Sequence, residues 1–424
     1  MKNSEKNKLV KTLTRMASEA KEASRMLACV PTQKKNEILL SMAEALQQNT
    51  DSILSANKKD LNRAQRKGLS GPFIERLTLN EKRVSEMAES LREISKLADP
   101  VGQEMKSWTR PNGLVISKVR VPIGVILIIY ESRPNVTSDC IGLSFKSGNS
   151  VILRGGSDAV DSNAAIYDVL QKVIGDAGLP KSAVNLVKLT ERRAVDVLLS
   201  LDQYIALVMP RGGESLIREV RDKSKIPVIK HYKGVCHVFV DKSADFAMAQ
   251  RIILNAKVQR PAVCNAMETL LVHEAVSKDF LPTMIEALQD AGVEIRGDVK
   301  TRRIVKGIKR ATQVDWSTEY LDLILSVKVV SDIHEAIAHI NRYGSSHSDS
   351  IVTSDQENAE IFLKKVDSAC VYVNASTRFT DGYQFGFGAE IGISTDRLHA
   401  RGPVGLEELT TYKYEIRGKG QIRE

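Results

Sequence analysis

Hydrophobic positions recur with different periods along the chain, and the changes of period divide it. From Lys8 to Pro100 the period is helical. Leu9, Leu13, Met16 and Ala20 form one stripe, and Ile38, Leu39, Met42 and Leu46 a second. Val84, Met87, Leu91 and Ile94 form a third, which opens on Thr78-Leu-Asn-Glu81, a spacing that predicts a capping box. Interleaved charges of both signs mark the opposite faces as solvated scaffold. Between 104 and 121 the period falls to two around Pro111-Asn112-Gly113, with Leu114, Ile116 and Val119 alternating imperfectly, which predicts a β-hairpin. A second strand-like stretch runs from Thr410 to Ile416. A hairpin edge needs a partner, so these two pieces read either as an assembly module or as an ordinary intrachain sheet.

From Val121 onward, continuous β-rich runs alternate with helical patterns. Val121–Tyr130, Ser150–Leu153 and Ala183–Val187 are strands separated by helices ending near Lys146 and Ile174. The alternation resumes with Thr269–Val272, Leu321–Val330, a helix from Asp332, Ser350–Thr353, a helix after a second capping box at Ser354–Glu357, and Cys370–Val373. Such runs predict parallel sheets covered on both faces, hence two α/β lobes.

Composition changes this picture little. A chain of 424 residues calls for two or three domains. The net charge of +9 comes from cations spread along the whole chain among acids, with few aromatics, which argues against nucleic acid and fits small anionic ligands. Five scattered cysteines (29, 140, 236, 264 and 370) without a CxxC pair argue against a disulfide framework and a cysteine zinc site. His334 and His339 are five apart and HExxH is absent, so no metal is expected. The charged start and the ten-residue limit of the longest apolar run predict no signal peptide, no membrane span and a cytoplasmic protein.

Six stretches carry candidate chemistry. Cys264 follows Pro261 in a turn-prone segment with Arg260 nearby, where a thiolate finds positive charge and free N–H groups; a buried packing thiol is the alternative. Arg154-Gly155-Gly156-Ser157 and Arg211-Gly212-Gly213 each sit between a strand and a helix, as an anion site would, although two tight βα turns would look the same. Neither matches GxGxxG or the P-loop. Asn135, in Tyr-Glu-Ser-Arg133-Pro-Asn135, reads as a helix cap or an oxyanion donor. Ser376, Thr377 and Arg378 suit a carboxylate or phosphate, and His231 and His237 flank Gly234 beside a strand.

Arg-Pro-Ala-Val-Cys264-Asn-Ala-Met-Glu-Thr, Tyr-Glu-Ser-Arg-Pro-Asn135, the paired Arg-Gly-Gly turns, Val-Asn-Ala-Ser376-Thr-Arg378-Phe-Thr-Asp-Gly and the stretch from Val330 to Ile351 together resemble the γ-glutamyl phosphate reductases of the aldehyde dehydrogenase superfamily. The resemblance runs from about residue 30 onward. It implies an aldehyde dehydrogenase-like α/β fold with two Rossmann-like lobes and a β-flap: an NADP-binding domain over 1–103 and 121–234, a catalytic domain over 235–403, and an oligomerisation flap over 104–120 and 404–424. It implies reduction of L-glutamyl 5-phosphate by NADPH to L-glutamate 5-semialdehyde and phosphate, the second step from glutamate to proline, through a thioacyl on Cys264. Asn135 and the Cys264 N–H would hold the oxyanion.

Departures from hydrolytic relatives sharpen the expectation. His231, in Lys230-His-Tyr-Lys-Gly234, stands about where they carry a water-activating glutamate, and Ser157 stands where an acid would hold the NAD ribose, beside Arg154. Glu319 falls near the glutamate that holds the nicotinamide ribose. Arg154 to Ser157, Arg211 to Gly213 and Glu319 are thus expected at the cofactor, Ser376, Thr377 and Arg378 at the substrate carboxylate, and Arg133 and His231 elsewhere on the substrate. A homo-oligomer and a transient contact with a glutamate kinase are the expected partners. The rival activities are a hydrolytic or CoA-acylating aldehyde dehydrogenase of the same fold, and, more distantly, a catalytically silent basic binding protein.

Overall fold

The computed structural model describes residues 3–69, 71–131 and 133–423 and divides the chain into two compact units. The first comprises 1–230, 386–392 and 404–424, and the second 231–385 and 393–403.

The first unit opens with the helices Asn3–Leu27, Thr32–Gln48, Thr50–Arg66, Gly71–Leu77 and Glu81–Lys96. Their stripes are buried as the periodicity requires: Leu13, Ala20, Leu39, Met42, Leu46, Leu91 and Ile94 are all inaccessible to solvent. The expected capping box at Thr78 is absent. Asn80 caps the fifth helix by accepting the Arg83 N–H, and the Thr78 hydroxyl instead donates to the Ile74 carbonyl, one turn back. The helices cover a four-stranded parallel sheet in the order Val184–Leu186, Ser150–Arg154, Val125–Tyr130, Leu207–Arg211. Val125–Tyr130 is buried throughout, as a strand covered on both faces must be.

The apolar run from Val121 divides between two sheets. Gly124, at φ +123, turns the chain where an L side chain would be strained. Val121 belongs instead to Val115–Pro122, which pairs antiparallel with Glu104–Thr109 through the Asn112-Gly113 turn and, on its other side, with Thr410–Arg417. These three strands form an intrachain sheet that clusters with the first unit.

The second unit is built on a seven-stranded parallel sheet. Its order is Lys309–Arg310, Glu294–Gly297, Ile324–Val330, Met267–His273, Cys236–Val240, Ser348–Val352, Cys370–Val373. Met267–His273 lies in the middle, in register with Cys236–Val240 on one side and Ile324–Val330 on the other. The third strand in this order starts at Ile324 and not at Leu321, whose φ of 53 interrupts extended backbone. Asp355, and not Ser354, caps the helix Gln356–Lys365. On one face Val238, Ile253, Met267, Leu270, Leu281, Ile285 and Val327 form a continuous apolar core, each buried side chain contributing about 1.5–3 kcal/mol. His237 and Asp349 join neighbouring strands by a fully buried bond of 2.9 Å, which makes His237 structural. His339 packs on Trp316 and Tyr343, and burial pushes its imidazole down to about 2.

Candidate active site

Cys264 lies in the turn between the helix Phe246–Val258 and the strand Met267–His273, half-buried. Pro261 ends any helical continuation, and the Ala266 N–H closes the turn on the Val263 carbonyl at 3.1 Å. The thiol is thereby carried at the end of a central strand.

Gly234 packs against the backbone of this turn. A Cβ at residue 234 would lie 1.7 Å from the Cys264 carbonyl oxygen and 2.5 Å from its Cα. Only glycine brings the two backbones that close. The Gly234 N–H donates to Glu319 at 2.8 Å, and the Cys236 thiol donates to the Cys264 carbonyl at 3.3 Å. Burial pushes the Cys236 thiol far up, so it remains a neutral donor. His231 makes a 2.9 Å bond through Nδ1 to the Ile393 carbonyl. A carbonyl only accepts, so this nitrogen carries the proton and fixes the ring. The neighbouring His347 ring is 5.8 Å away, edge-on; burial pushes His347 down to about 3 and keeps it neutral.

Ser376, Thr377 and Arg378 reach the same turn through Asn265. The Thr377 hydroxyl donates to the Asn265 carbonyl at 2.8 Å, the Asn265 amide donates to the Thr380 carbonyl at 2.8 Å, and the Arg378 guanidinium donates to the Asn265 side-chain oxygen. Arg378 also donates to Gln259 at 3.0 Å, and the Ser376 hydroxyl accepts the Arg378 N–H. Burial, and then Arg260, press the Arg378 guanidinium below its ordinary value, a strain that an anionic ligand would relieve.

A second buried ion pair flanks the turn. Lys257 and Glu268, both at zero exposure, meet at 2.6 Å, and the other Glu268 oxygen accepts the Leu321 N–H at 3.2 Å. Burial pushes the Glu268 carboxyl up to about 7 against the pull of Lys257, and pushes the Lys257 ammonium down. The sequence reading passed over this pair, along with Gly234 as a packing site, Asn265 and Cys236. Lone charges inside apolar flanks seven residues before and four after the cysteine were the available signal.

The remaining candidates belong to the first unit. Arg154 ends its strand and folds back, donating to the Gly155 carbonyl at 2.8 Å and the Thr190 carbonyl at 3.1 Å, while its buried Nε has no partner. A Cβ on Gly155 would strike the Asn163 amide. Ser157 is exposed; Asp158 beside it pairs with Lys67 at 2.7 Å. The helix that follows is capped from elsewhere, by Asp60 accepting the Ser162 N–H at 2.8 Å. At the second turn Glu131 accepts the Gly213 N–H at 3.2 Å and occupies the space a Gly212 side chain would need. Arg133 is exposed, and Ser132 lies outside the described residues. Asn135 is the first residue of the helix Asn135–Lys146 and makes no cap; one turn on, burial pushes the Asp139 carboxyl up to about 6. Among the described residues no group of three or more His, Cys, Asp and Glu is arranged to hold a metal, and no helix is long and apolar enough to cross a membrane.

The model of the aldehyde dehydrogenase family matches residues 6–322 and 304–414. A γ-glutamyl phosphate reductase of Thermodesulfovibrio yellowstonii is 56% identical over 96% of this chain and 98% of its own length. That of Thermoanaerobacter pseudethanolicus is 58% identical over 96% of this chain and 99% of its own. The chain belongs to the γ-glutamyl phosphate reductases of the aldehyde dehydrogenase family. The fold agrees: the crystal structure of γ-glutamyl phosphate reductase from Thermotoga maritima superposes with a TM-score of 0.95 at 50% identity, covering 97% of this chain and all of that one. An acetylating aldehyde dehydrogenase of Geobacillus thermoglucosidasius, 15% identical, shares the fold alone at a TM-score of 0.68. The family's α/β architecture is thus that of this chain, and it is an oxidoreductase.

Proposed function

We propose that this chain reduces L-glutamyl 5-phosphate to L-glutamate 5-semialdehyde with NADPH, through a thioester on Cys264. The observation that carries the proposal is the set of carboxylates around the nucleophile's turn. Glu319 is bound to the Gly234 N–H and Glu268 to Lys257 and the Leu321 N–H, and residues 230–234 contain no acid. Glu268 is sealed from water and Glu319 is taken up by the Gly234 N–H, which favours a thioester that survives to be reduced.

The residues of the first turn fit a phosphorylated ribose. The only acid between Arg154 and Ala159 is Asp158, neutralised by Lys67, and the buried Arg154 Nε awaits a partner. Arg154 to Ser157 would hold the 2′-phosphate, Arg211 to Gly213 the remainder of the nucleotide, and Glu319 the nicotinamide ribose. When bound, NADPH supplies the hydride.

In the chain's own steps, the Cys264 thiolate attacks the acyl carbon and phosphate leaves. The Cys264 N–H holds the oxyanion, with Asn135 assigned as a second donor by resemblance. After reduction the thiohemiacetal collapses, returning the thiolate and releasing the aldehyde. Arg378, with Ser376 and Thr377, anchors the α-carboxylate; Arg133 and His231 meet the phosphate. The domain roles follow: nucleotide binding over 1–103 and 121–234, catalysis over 235–403, and homo-oligomerisation through 104–120 and 404–424, in a cytoplasmic enzyme that receives its substrate from a glutamate kinase.

The test is NADP reduction by the semialdehyde with phosphate, water alone or CoA as acceptor, and with NAD in place of NADP. Turnover should require phosphate, prefer NADP and vanish in Cys264→Ala. Turnover independent of phosphate, or a Cys264→Ala variant with appreciable activity, overturns the proposal.

A further inference from the structure

Lys257 and Glu268 take no step in the chemistry above, yet they sit at zero exposure on either side of the nucleophile's turn. Lys257 is in the last turn of the helix that enters it, and Glu268 is the second residue of the strand that leaves it. Their 2.6 Å bond closes the intervening segment into a ring. Glu268 also reaches outward, accepting the N–H of Leu321, whose φ of 53 fixes the backbone two residues after Glu319. Glu319 in turn accepts the Gly234 N–H, and Gly234 lies directly on the Cys264 backbone. The contacts therefore form a closed circuit: Cys264 to Gly234, to Glu319, through Tyr320 to Leu321, to Glu268 and Lys257, and back to the turn.

Burying two charges is an expensive way to hold a segment together. Apolar residues of the same volume generally do it as well or better. What they cannot do is accept the Leu321 N–H and the Lys257 ammonium with one rigid group, and so set the distance between the Cys264 turn and the Glu319 segment.

We propose that Lys257 and Glu268 are a positioning pair that fixes the Cys264 turn in register with Gly234 and Glu319. This rests on Cys264 being the nucleophile. Neither residue touches substrate; both act through the backbone of the turn.

The experiment compares the wild type with Lys257→Met/Glu268→Leu, Glu268→Gln and Lys257→Arg. It measures Tm, kcat and KM, and the pH dependence of Cys264 alkylation by iodoacetamide. The double variant should keep or raise the Tm while kcat falls about tenfold or more, as expected for a nucleophile displaced by a fraction of an ångström. KM should stay within about twofold, and the alkylation midpoint should move. A double variant with wild-type kcat and a superimposable alkylation profile overturns the proposal. Should the double variant not fold, the single variants decide. Lys257→Arg, which keeps the charge, should retain about tenfold more kcat than Glu268→Gln at matched Tm; equal kcat in the two overturns the proposal. A fully active Cys264→Ala would sink the functional reading instead. An essential Cys264 with indifferent pair variants would sink this inference alone.

Discussion

Replacing Gly234 by alanine adds one methyl group, and the structure says where it goes: 1.7 Å from the Cys264 carbonyl oxygen, 2.3 Å from the carbonyl carbon and 2.5 Å from Cα. All three are backbone atoms, so no rotamer change relieves the overlap. Real Cβ contacts essentially stop at 3.0 Å, and closing the gap from 1.7 Å requires a shift of about 1.3 Å between residue 234 and the Cys264 turn. A displacement of about 1 Å at a reacting group costs roughly a hundredfold in rate, while overpacking of this kind costs about 1–3 kcal/mol in stability. Gly234→Ala should thus lower kcat for phosphate-dependent NADP reduction by about two orders of magnitude, and do so in protein that remains folded at the assay temperature. Gly71→Ala is the matched control, because a Cβ there meets nothing within 4 Å. Circular dichroism melts separate stability from rate. A folded Gly234→Ala enzyme with kcat within threefold of wild type would refute the reasoning, since it would mean that the position of the Cys264 backbone does not govern the chemistry.

Arg378→Ala removes a charged donor beside Asn265, an interaction worth about 1.5–3 kcal/mol, and should raise KM for the semialdehyde at least tenfold; an unchanged KM removes Arg378 from the substrate. Ser157→Glu places a carboxylate where the 2′-phosphate would lie, so the ratio of kcat/KM for NADP to that for NAD should fall at least tenfold, and a constant ratio would move the nucleotide elsewhere. Burial raises the Asp139 carboxyl from 3.8 to about 6 despite the bond from Ser90. The native state therefore holds this proton more tightly than the unfolded chain, and the stability from the group is full below about pH 4 and lost as pH rises through about 6. Asp139→Asn should raise stability above neutral pH by on the order of 1 kcal/mol, a value discounted for partial exposure, with the gain gone at acid pH; denaturant melts showing the same gain at both ends would contradict it.

The helical stripes of the first hundred residues and the strand runs of the second unit were legible because each element repeats its own period. Element ends were less so. Asn80 and Asp355 outcompeted the expected caps, since any short side-chain oxygen at the right φ and ψ accepts the same N–H. The break at Gly124 was invisible in an apolar run that serves two sheets. Strand order was not legible, because pairings such as Val238 with Leu270 join residues far apart in sequence. For the same reason, local pattern alone gave no hint that Thr377 and Arg378 converge on Asn265, next to Cys264. Gly234 stood in view as a glycine; that its missing Cβ admits the Cys264 backbone shows only in the fold.

The third strand of the antiparallel sheet comes from 410–417, while its partner, Val115–Pro122, is made early. During synthesis the middle strand therefore waits with one edge open until the whole of the second unit has been made. The second unit encodes all seven strands of its parallel sheet within 231–385, and only its segment 393–403 comes later. The sheet that carries Cys264 is thus able to form first, and the early segment must stay soluble meanwhile. Lys118 and Arg120 on the waiting strand provide the charge that discourages stray pairing.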